Sequence, residues 1–333
     1  MKNELKSSLS KTQTLSILTV LTVLATVISC VAGEIMLPVV IGFLSAIYLF
    51  DTDSKKLFTI FSSGIIVAIN VISILMGFYV SFISVSAIAV AYITSRAFLK
   101  NQNKAETAYI ATILCALFGF LGRILFAMMA KGSFTFDAAF AYYGELFDFL
   151  KQMAIDGVES LNAMYTAQGM IPPALDLELY FDILFKSIIS FLVIGGFMSV
   201  GFGMKIFAKI TSKISENDEH ILRWRFIPSR SYAYVYIVLA ILWMFVPAID
   251  SAFGVSVMNL YNVISAIFIY FGFMVVYSVV RSRMSKLLAL FVTFAVIFMF
   301  SSLAIQVLAI IGVISTFRAN FVPPVNFPPN ERE

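Results

Sequence analysis

Four side chains with cationic or amide chemistry interrupt apolar stretches of this chain: Asn70, Arg123, Lys186 and Asn259. Arg123 lies in "YIATILCALFGFLGRILFAMMA", residues 109–130, a run that carries no other charge. Arginine does not deprotonate in proteins, so it is a poor proton relay but a strong partner for carboxylate or phosphate. Lys186 offers a second cation. Glu178, Asp182 and Lys186 recur at i, i+4 spacing, which places them on one helical face and lets Asp182 pair with Lys186. The two asparagines add hydrogen-bond donors and acceptors.

A cation facing lipid near a helix centre costs about 2.5–3.5 kcal/mol on insertion scales, so such residues favour a bundle interior or a watered cavity. Three roles fit Arg123 and Lys186. They lock helix packing or snorkel to the interface; they line an outward-open cavity for an anionic or carboxylate-bearing ligand; or they contact another membrane subunit.

The elements that hold these residues are transmembrane helices. Sixty per cent of the 333 residues are hydrophobic and 13% are charged, with a mean hydropathy of +0.95. A soluble domain carries about 25% charged residues. Apolar windows mark candidate helices at Leu15–Ala32, Leu37–Phe50, Leu57–Gly77, Val80–Ser95, Tyr109–Ala130, Tyr180–Met204, Tyr232–Val246, Val255–Val280 and Leu287–Phe317. Leu37–Phe50 is short, and with Pro38 near its start it also reads as a half-span. Leu287–Phe317 reads either as one tilted helix or as a tight pair. The expectation is an all-α polytopic bundle of about nine passes, within a range of eight to ten.

Basic residues cluster at the N-terminus, at Lys55–Lys56, at Arg96/Lys100/Lys104, between Lys205 and Arg230, and at Arg281/Arg283/Lys286. Nine passes from a cytoplasmic N-terminus place every cluster on the cytoplasmic side, as the positive-inside rule requires. The same count puts the C-terminus outside; a double pass at the end would return it. It also places 131–178 outside, where seven acidic residues face two lysines. The expected organisation is a cytoplasmic tail 1–13, a first transmembrane group 14–130, an extracytoplasmic acidic segment 131–178, a second transmembrane group 179–318 containing the cytoplasmic loop 205–230, and a proline-rich disordered tail 319–333.

On this topology Arg123 lies about 5 Å to the outer side of its helix midpoint. Lys186 falls at a similar depth, Asn70 a few ångströms beyond its own centre, and Asn259 near the outer interface. The inner half shows no comparable set. Residues 134–168 show helical amphipathicity: Phe140, Tyr143, Phe147, Leu150, Ala154 and Leu161 alternate with Glu145, Asp148, Gln152, Asp156 and Glu159. "IPPALD" at 171–176 is expected to end that helix. Being acidic, the segment is expected to lie over its own protein or a partner, or to rest as a solvated connector on the membrane surface.

The absent motifs narrow the function. There is no GxxxxGK[ST] loop, no HExxH and no GxSxG, and His220 is the sole histidine. Cys30 and Cys115 share no ligand spacing. The start of the chain imitates a lipoprotein signal ending in "VISC" at Cys30, but the many later spans favour a retained first helix. The chain reads as non-enzymatic, without cofactor or metal, and with no nucleic-acid partner.

"WRFIPSRSYAYVYIVLAI" (224–241), "NLYNVISAIFIYFGFMVVYSVVRSR" (259–283) and "LAIIGVISTFRANF" (308–321) resemble the YybS-like bacterial membrane proteins. The matching positions are Trp224 with Pro228, Asn259, and Gly312 with Arg318, over about the last third of the chain. Ser315 stands where that pattern has an acidic residue. The family has no assigned function, so the resemblance implies a class. Its layout also looks like the substrate-binding S components of energy-coupling-factor transporters, which carry no ATP site of their own. The resulting expectation is a bacterial plasma-membrane protein that captures or transports a small anionic ligand in an outward-facing pocket. Arg123 and Lys186 would supply charge, Asn70 and Asn259 hydrogen bonds, and a separate ATPase or other membrane protein would energise it. The alternative is a non-transporting scaffold for other membrane proteins.

Overall fold

The computed structural model describes residues 11–51, 56–76, 84–100, 102–171, 176–214, 227–245 and 251–321. The tails 1–10 and 322–333, Gly77, the prolines 172–173 and the connection 215–226 with His220 and Trp224 lie outside them. Among the described residues all regular structure is helical. The helices are α1 (Lys11–Ala32), α2 (Leu37–Phe50), α3 (Leu57–Leu75), α4 (Ser86–Leu99), α5 (Lys104–Ala130), α6 (Phe136–Ala167), α7 (Leu177–Lys186), α8 (Ile188–Ile214), α9 (Arg230–Phe245), α10 (Ala252–Arg281) and α11 (Lys286–Phe321). A 3₁₀ turn, Gly33–Met36, joins α1 to α2.

Five of these helices are long and apolar enough to cross a membrane: Thr12–Cys30 of α1, α3, α5, Ile188–Ser212 of α8, and α10. Burial agrees with a lipid surround. On α3 the buried residues are Ser62, Ile66, Asn70 and Ser73, whereas Ile60, Phe61, Val67, Val71 and Leu75 are exposed. A helix that turns its polar stripe inward and its apolar face outward is built for hydrocarbon, where internal hydrogen bonds hold helices together. α1 follows the same rule: Thr19, Thr22, Thr26 and Ser29 are buried while Val20, Leu24, Val27 and Ile28 are exposed. The two stripes meet through Thr19–Ser62 at 3.2 Å and through Ser73, which donates to Cys30 Sγ at 3.0 Å. The chain is an α-helical multi-pass membrane protein.

The chain divides into two compact units, one formed by residues 1–102 and 107–223, the other by 103–106 and 224–333. In the first, α2 is the centre and packs on α1, α3, α4 and α8. Val40, Ile41, Leu44, Ala46 and Ile47 are fully buried, as expected of a helix that is apolar all round. Its 14 residues span only about 21 Å, short of the roughly 30 Å hydrocarbon core. The closest approach to α8 is a glycine lock. A Cβ at Gly203 would stand 2.6 Å from Ile41 Cγ2, and one at Gly42 would stand 2.5 Å from Ile206 Cγ2.

In the second unit α10 and α11 form the main contact, with α9 against both. Here the backbones themselves touch: a Cβ on Gly272 would overlap the Leu308 carbonyl, and one on Gly312 the Phe268 carbonyl. Phe268, Ala309 and Val313 pack with Ala233 of α9 around that crossing. α11 is one continuous helix of 36 residues, so the window Leu287–Phe317 lies in a single long element, not a tight pair.

Two expected helices differ. The window Val80–Ser95 becomes a helix only from Ser86 and runs on to Leu99, with 80–83 outside the described residues. The continuous helix expected over Tyr180–Met204 is broken after Lys186, where Ser187 turns and α8 begins anew at Ile188.

Candidate functional site

Arg123 sits on α5 where α6 crosses it. The crossing point is Ala127 against Ala139, both fully buried, flanked by Ile124 and Met128. Small residues at this point let the two backbones approach. Tyr143 of α6 reaches Arg123 on α5, and Glu145 reaches Lys131 in the turn that follows α5.

The Arg123 guanidinium folds back toward the start of α5, and its Nη1 donates to the Gly119 carbonyl at 3.2 Å. Glycine makes room for it, since a Cβ at 119 would stand 3.2 Å from that same nitrogen. This direction is away from the Ala130 end of the helix, the opposite of snorkelling toward the nearer end. The helix also begins five residues earlier than its apolar window, at Lys104, which moves its midpoint to Leu117 and places Arg123 about 9 Å beyond it.

Tyr143 covers the arginine from α6. Its hydroxyl donates to the Arg123 carbonyl at 3.0 Å. Burial raises its pKa above the ordinary 10.0; the positive charge of Arg123 pulls it back, and neighbouring Tyr142 adds to the rise. The phenol therefore stays protonated as a donor. Tyr142 packs edge-on against Phe126, with ring centroids 5.6 Å apart.

Lys186 belongs to the neighbouring helix α7. It is the last residue of α7, a ten-residue helix whose start is capped by Asp176 accepting from the Leu179 amide at 3.0 Å. A basic residue in a last turn is favoured by the helix dipole. Its ammonium donates to Asp182 Oδ2 at 2.7 Å. The candidate span of α8 starts at Ile188, so Lys186 precedes it in the chain. α6 links the two cations. One turn beyond Tyr143, Phe147 packs edge-on against Phe185 at 4.9 Å, and one turn further Lys151 reaches Glu178 at 3.3 Å.

The asparagines sit elsewhere. Asn70 is 2% exposed; its Nδ2 donates to the Ile66 carbonyl at 2.7 Å and to Ser84 Oγ at 2.8 Å, and Ser84 donates back to its Oδ1 at 3.1 Å. That closed exchange ties α3 to the turn preceding α4. Asn259 belongs to the second unit, where its Nδ2 donates to the Val255 carbonyl at 2.9 Å. Within the first unit, α5, α6 and α7 thus gather Arg123, Tyr143, Asp182 and Lys186 around one helix.

A second polar group occupies the opposite end of the first unit, where the sequence suggested none. Asp51, 2% exposed, follows the last turn of α2 and accepts from the Thr59 amide at 2.7 Å. An anion there faces the positive end of α3. On the same two helices Tyr48 bonds Ser63 at 2.9 Å; Tyr48 also stands edge-on to Tyr92 of α4 at 6.4 Å, and Arg96 donates to the Tyr92 hydroxyl at 2.6 Å. The signal available in the sequence was "YLFD", an apolar helix that ends on an acid. Among the described residues no three His, Cys, Asp or Glu side chains gather as a metal site requires.

No known protein family, curated protein or solved structure matches the chain.

Proposed function

We propose that this chain is a bacterial plasma-membrane protein of about nine passes with a cytoplasmic N-terminus, and that its α5–α6–α7 corner captures a small anionic ligand from the outer side. The observation that supports this reading is the direction of Arg123. Its guanidinium folds toward the middle of an apolar helix, over Gly119 and beneath Tyr143, instead of reaching for the near end. A cation held there is costly in hydrocarbon, and a ligand carboxylate or phosphate offsets that cost through charge-assisted hydrogen bonds. Lys186 provides a second contact nearer the surface, with α6 as the cover between them. Asn70 and Asn259 act in helix packing on this reading. Energy for any transport would come from a separate ATPase or membrane partner, and kinship with the YybS-like proteins belongs to the same proposal.

The test is thermal unfolding of the purified full chain in detergent with inorganic phosphate, sulfate, acetate and short di- and tricarboxylates. At least one class should raise the melting temperature. Arg123→Gln should weaken that shift, and Arg123→Ala with Lys186→Ala should remove it while preserving a monodisperse fold. A panel without effect, or a shift that survives both variants, overturns ligand capture. The second reading is a non-transporting scaffold, favoured by the internal satisfaction of Asn70 by Ser84. It predicts loss of a membrane-protein partner when 134–168 is replaced, with no small anion shifting the melt.

A further inference from the structure

α6 runs 32 residues without a break, about 48 Å, yet of all its side chains only Ala139 is buried. Its large apolar residues form one arc. Leu146, Leu150, Met153, Leu161 and Met164 recur at three- and four-residue intervals or multiples of them, and Met153, Leu161 and Met164 are each more than half exposed. Asp148, Gln152, Asp156 and Glu159 occupy the other side and are exposed. An apolar arc this long stays out of water only if something covers it.

Three observations identify the cover as lipid. Both ends of α6 are tied to spanning helices, to α5 by the turn 131–135 and to α8 through α7, so the segment is held at one face of the bilayer. α6 packs Ala139 on the last turns of α5 and Phe147 on Phe185, just before α8 begins, so it bridges the ends of two spanning helices at that face. Finally, the crossing is at Ala127, three residues or about 5 Å inside the end of α5, which is the depth at which an amphipathic helix meets the boundary of headgroups and acyl chains. Leu121 and Leu125 of α5 are exposed as well.

We propose that α6 is an interfacial helix that sinks its Leu150–Met164 arc into the leaflet where α5 ends, with its carboxylates in water. Basic interfacial helices draw on anionic lipid. This one carries acids, so it fits a zwitterionic leaflet. The inference stands independently of ligand capture.

The test uses the unmodified full chain in phosphatidylcholine nanodiscs that contain a phosphatidylcholine with a diazirine high on one acyl chain. After illumination, peptide mass spectrometry should find lipid adducts on Met153, Leu161 and Met164 several-fold more often than on Asp156 or Glu159. Equal labelling of both faces, or none on α6, overturns the proposal. A second measurement places spin labels at Leu161→Cys and Glu159→Cys in a Cys30→Ala, Cys115→Ala background. Position 161 should favour oxygen over a nickel chelate several-fold relative to 159. Water-like values at both positions mean a solvated connector. Shielding of 161 from both reagents means a second copy or another protein covers the arc. Either result sinks the idea.

Discussion

Tyr143 of α6 donates its phenolic hydrogen to the main-chain carbonyl of Arg123 on α5, across 3.0 Å. One hydrogen bond thereby joins the crossing helix to the turn of α5 that carries the inward-folded guanidinium. Tyr143→Phe keeps the ring and removes the bond, so it should cost about 1 kcal/mol, read as a lower melting temperature of the full chain. The raised pKa adds a pH signature. Between 10.0 and the higher folded value, the native state holds a proton that the unfolded chain releases. This contribution is complete below pH 10 and is lost as pH climbs through the folded value. Tyr143→Phe should therefore flatten part of the alkaline decline in stability.

The glycine crossings separate positional need from general helix preference. At Gly272 a methyl group would overlap the Leu308 carbonyl, whereas at Gly201 it would meet nothing within 4 Å. Gly272→Ala should push α10 and α11 apart and cost about 1–3 kcal/mol or more. Gly201→Ala should be neutral or stabilising by up to about 1 kcal/mol, the helix preference of alanine over glycine. Melting temperature and detergent-solubilised yield should fall for Gly272→Ala and hold or rise for Gly201→Ala. Equal loss in both would show that the close approach is not what matters.

Asn70 and Ser84 exchange two hydrogen bonds in a buried site. Asn70→Ala, Ser84→Ala and the double variant form a thermodynamic cycle. Coupling should fall between about 0.6 and 1.7 kcal/mol, the range measured for polar contacts between membrane helices. A value near zero would mean that the asparagine finds other partners once the serine is gone.

Which parts were legible in the sequence follows from what each signal encodes. Periodicity alone outlined α6, because Phe140, Tyr143 and Phe147 against Glu145, Asp148 and Gln152 define a stripe whatever the stripe touches. The end of α6 was attributed to the prolines, but the helix stops earlier. Gly169 at φ 72° lets Met170 N donate to the Tyr165 carbonyl and Gly169 N to that of Thr166, the glycine-terminated helix end. The break at Ser187 was hidden because "DILFKSIISF" keeps its hydropathy across the turn and contains neither glycine nor proline. A window marks apolarity alone, so Lys186 falls inside the window Tyr180–Met204 although it closes α7 and α8 starts after it. Gly272 gives no signal by itself, since a close approach depends on what α11 presents opposite. The seam of Thr19, Thr22, Thr26 and Ser29 was readable as spacing but carries no charge to draw attention.

Asp51 offers the last test, at the end of the first unit remote from Arg123. Its carboxylate accepts from the Thr59 amide in the first turn of α3, satisfying a donor that the helix cannot satisfy for itself. Lys56, which precedes α3, adopts a left-handed backbone, φ 63°, and makes no side-chain cap, so the aspartate serves as a distant substitute. Asp51→Ala should cost about 0.5–2 kcal/mol, the range for loss of a helix cap. Asp51→Asn retains an acceptor oxygen and gives up only the interaction of its charge with the helix dipole, so it should cost less. Thermal unfolding of the two variants ranks them, and amide hydrogen exchange at Thr59 should rise most in the alanine variant. If asparagine proves as damaging as alanine, the charge and not the acceptor is what α3 requires.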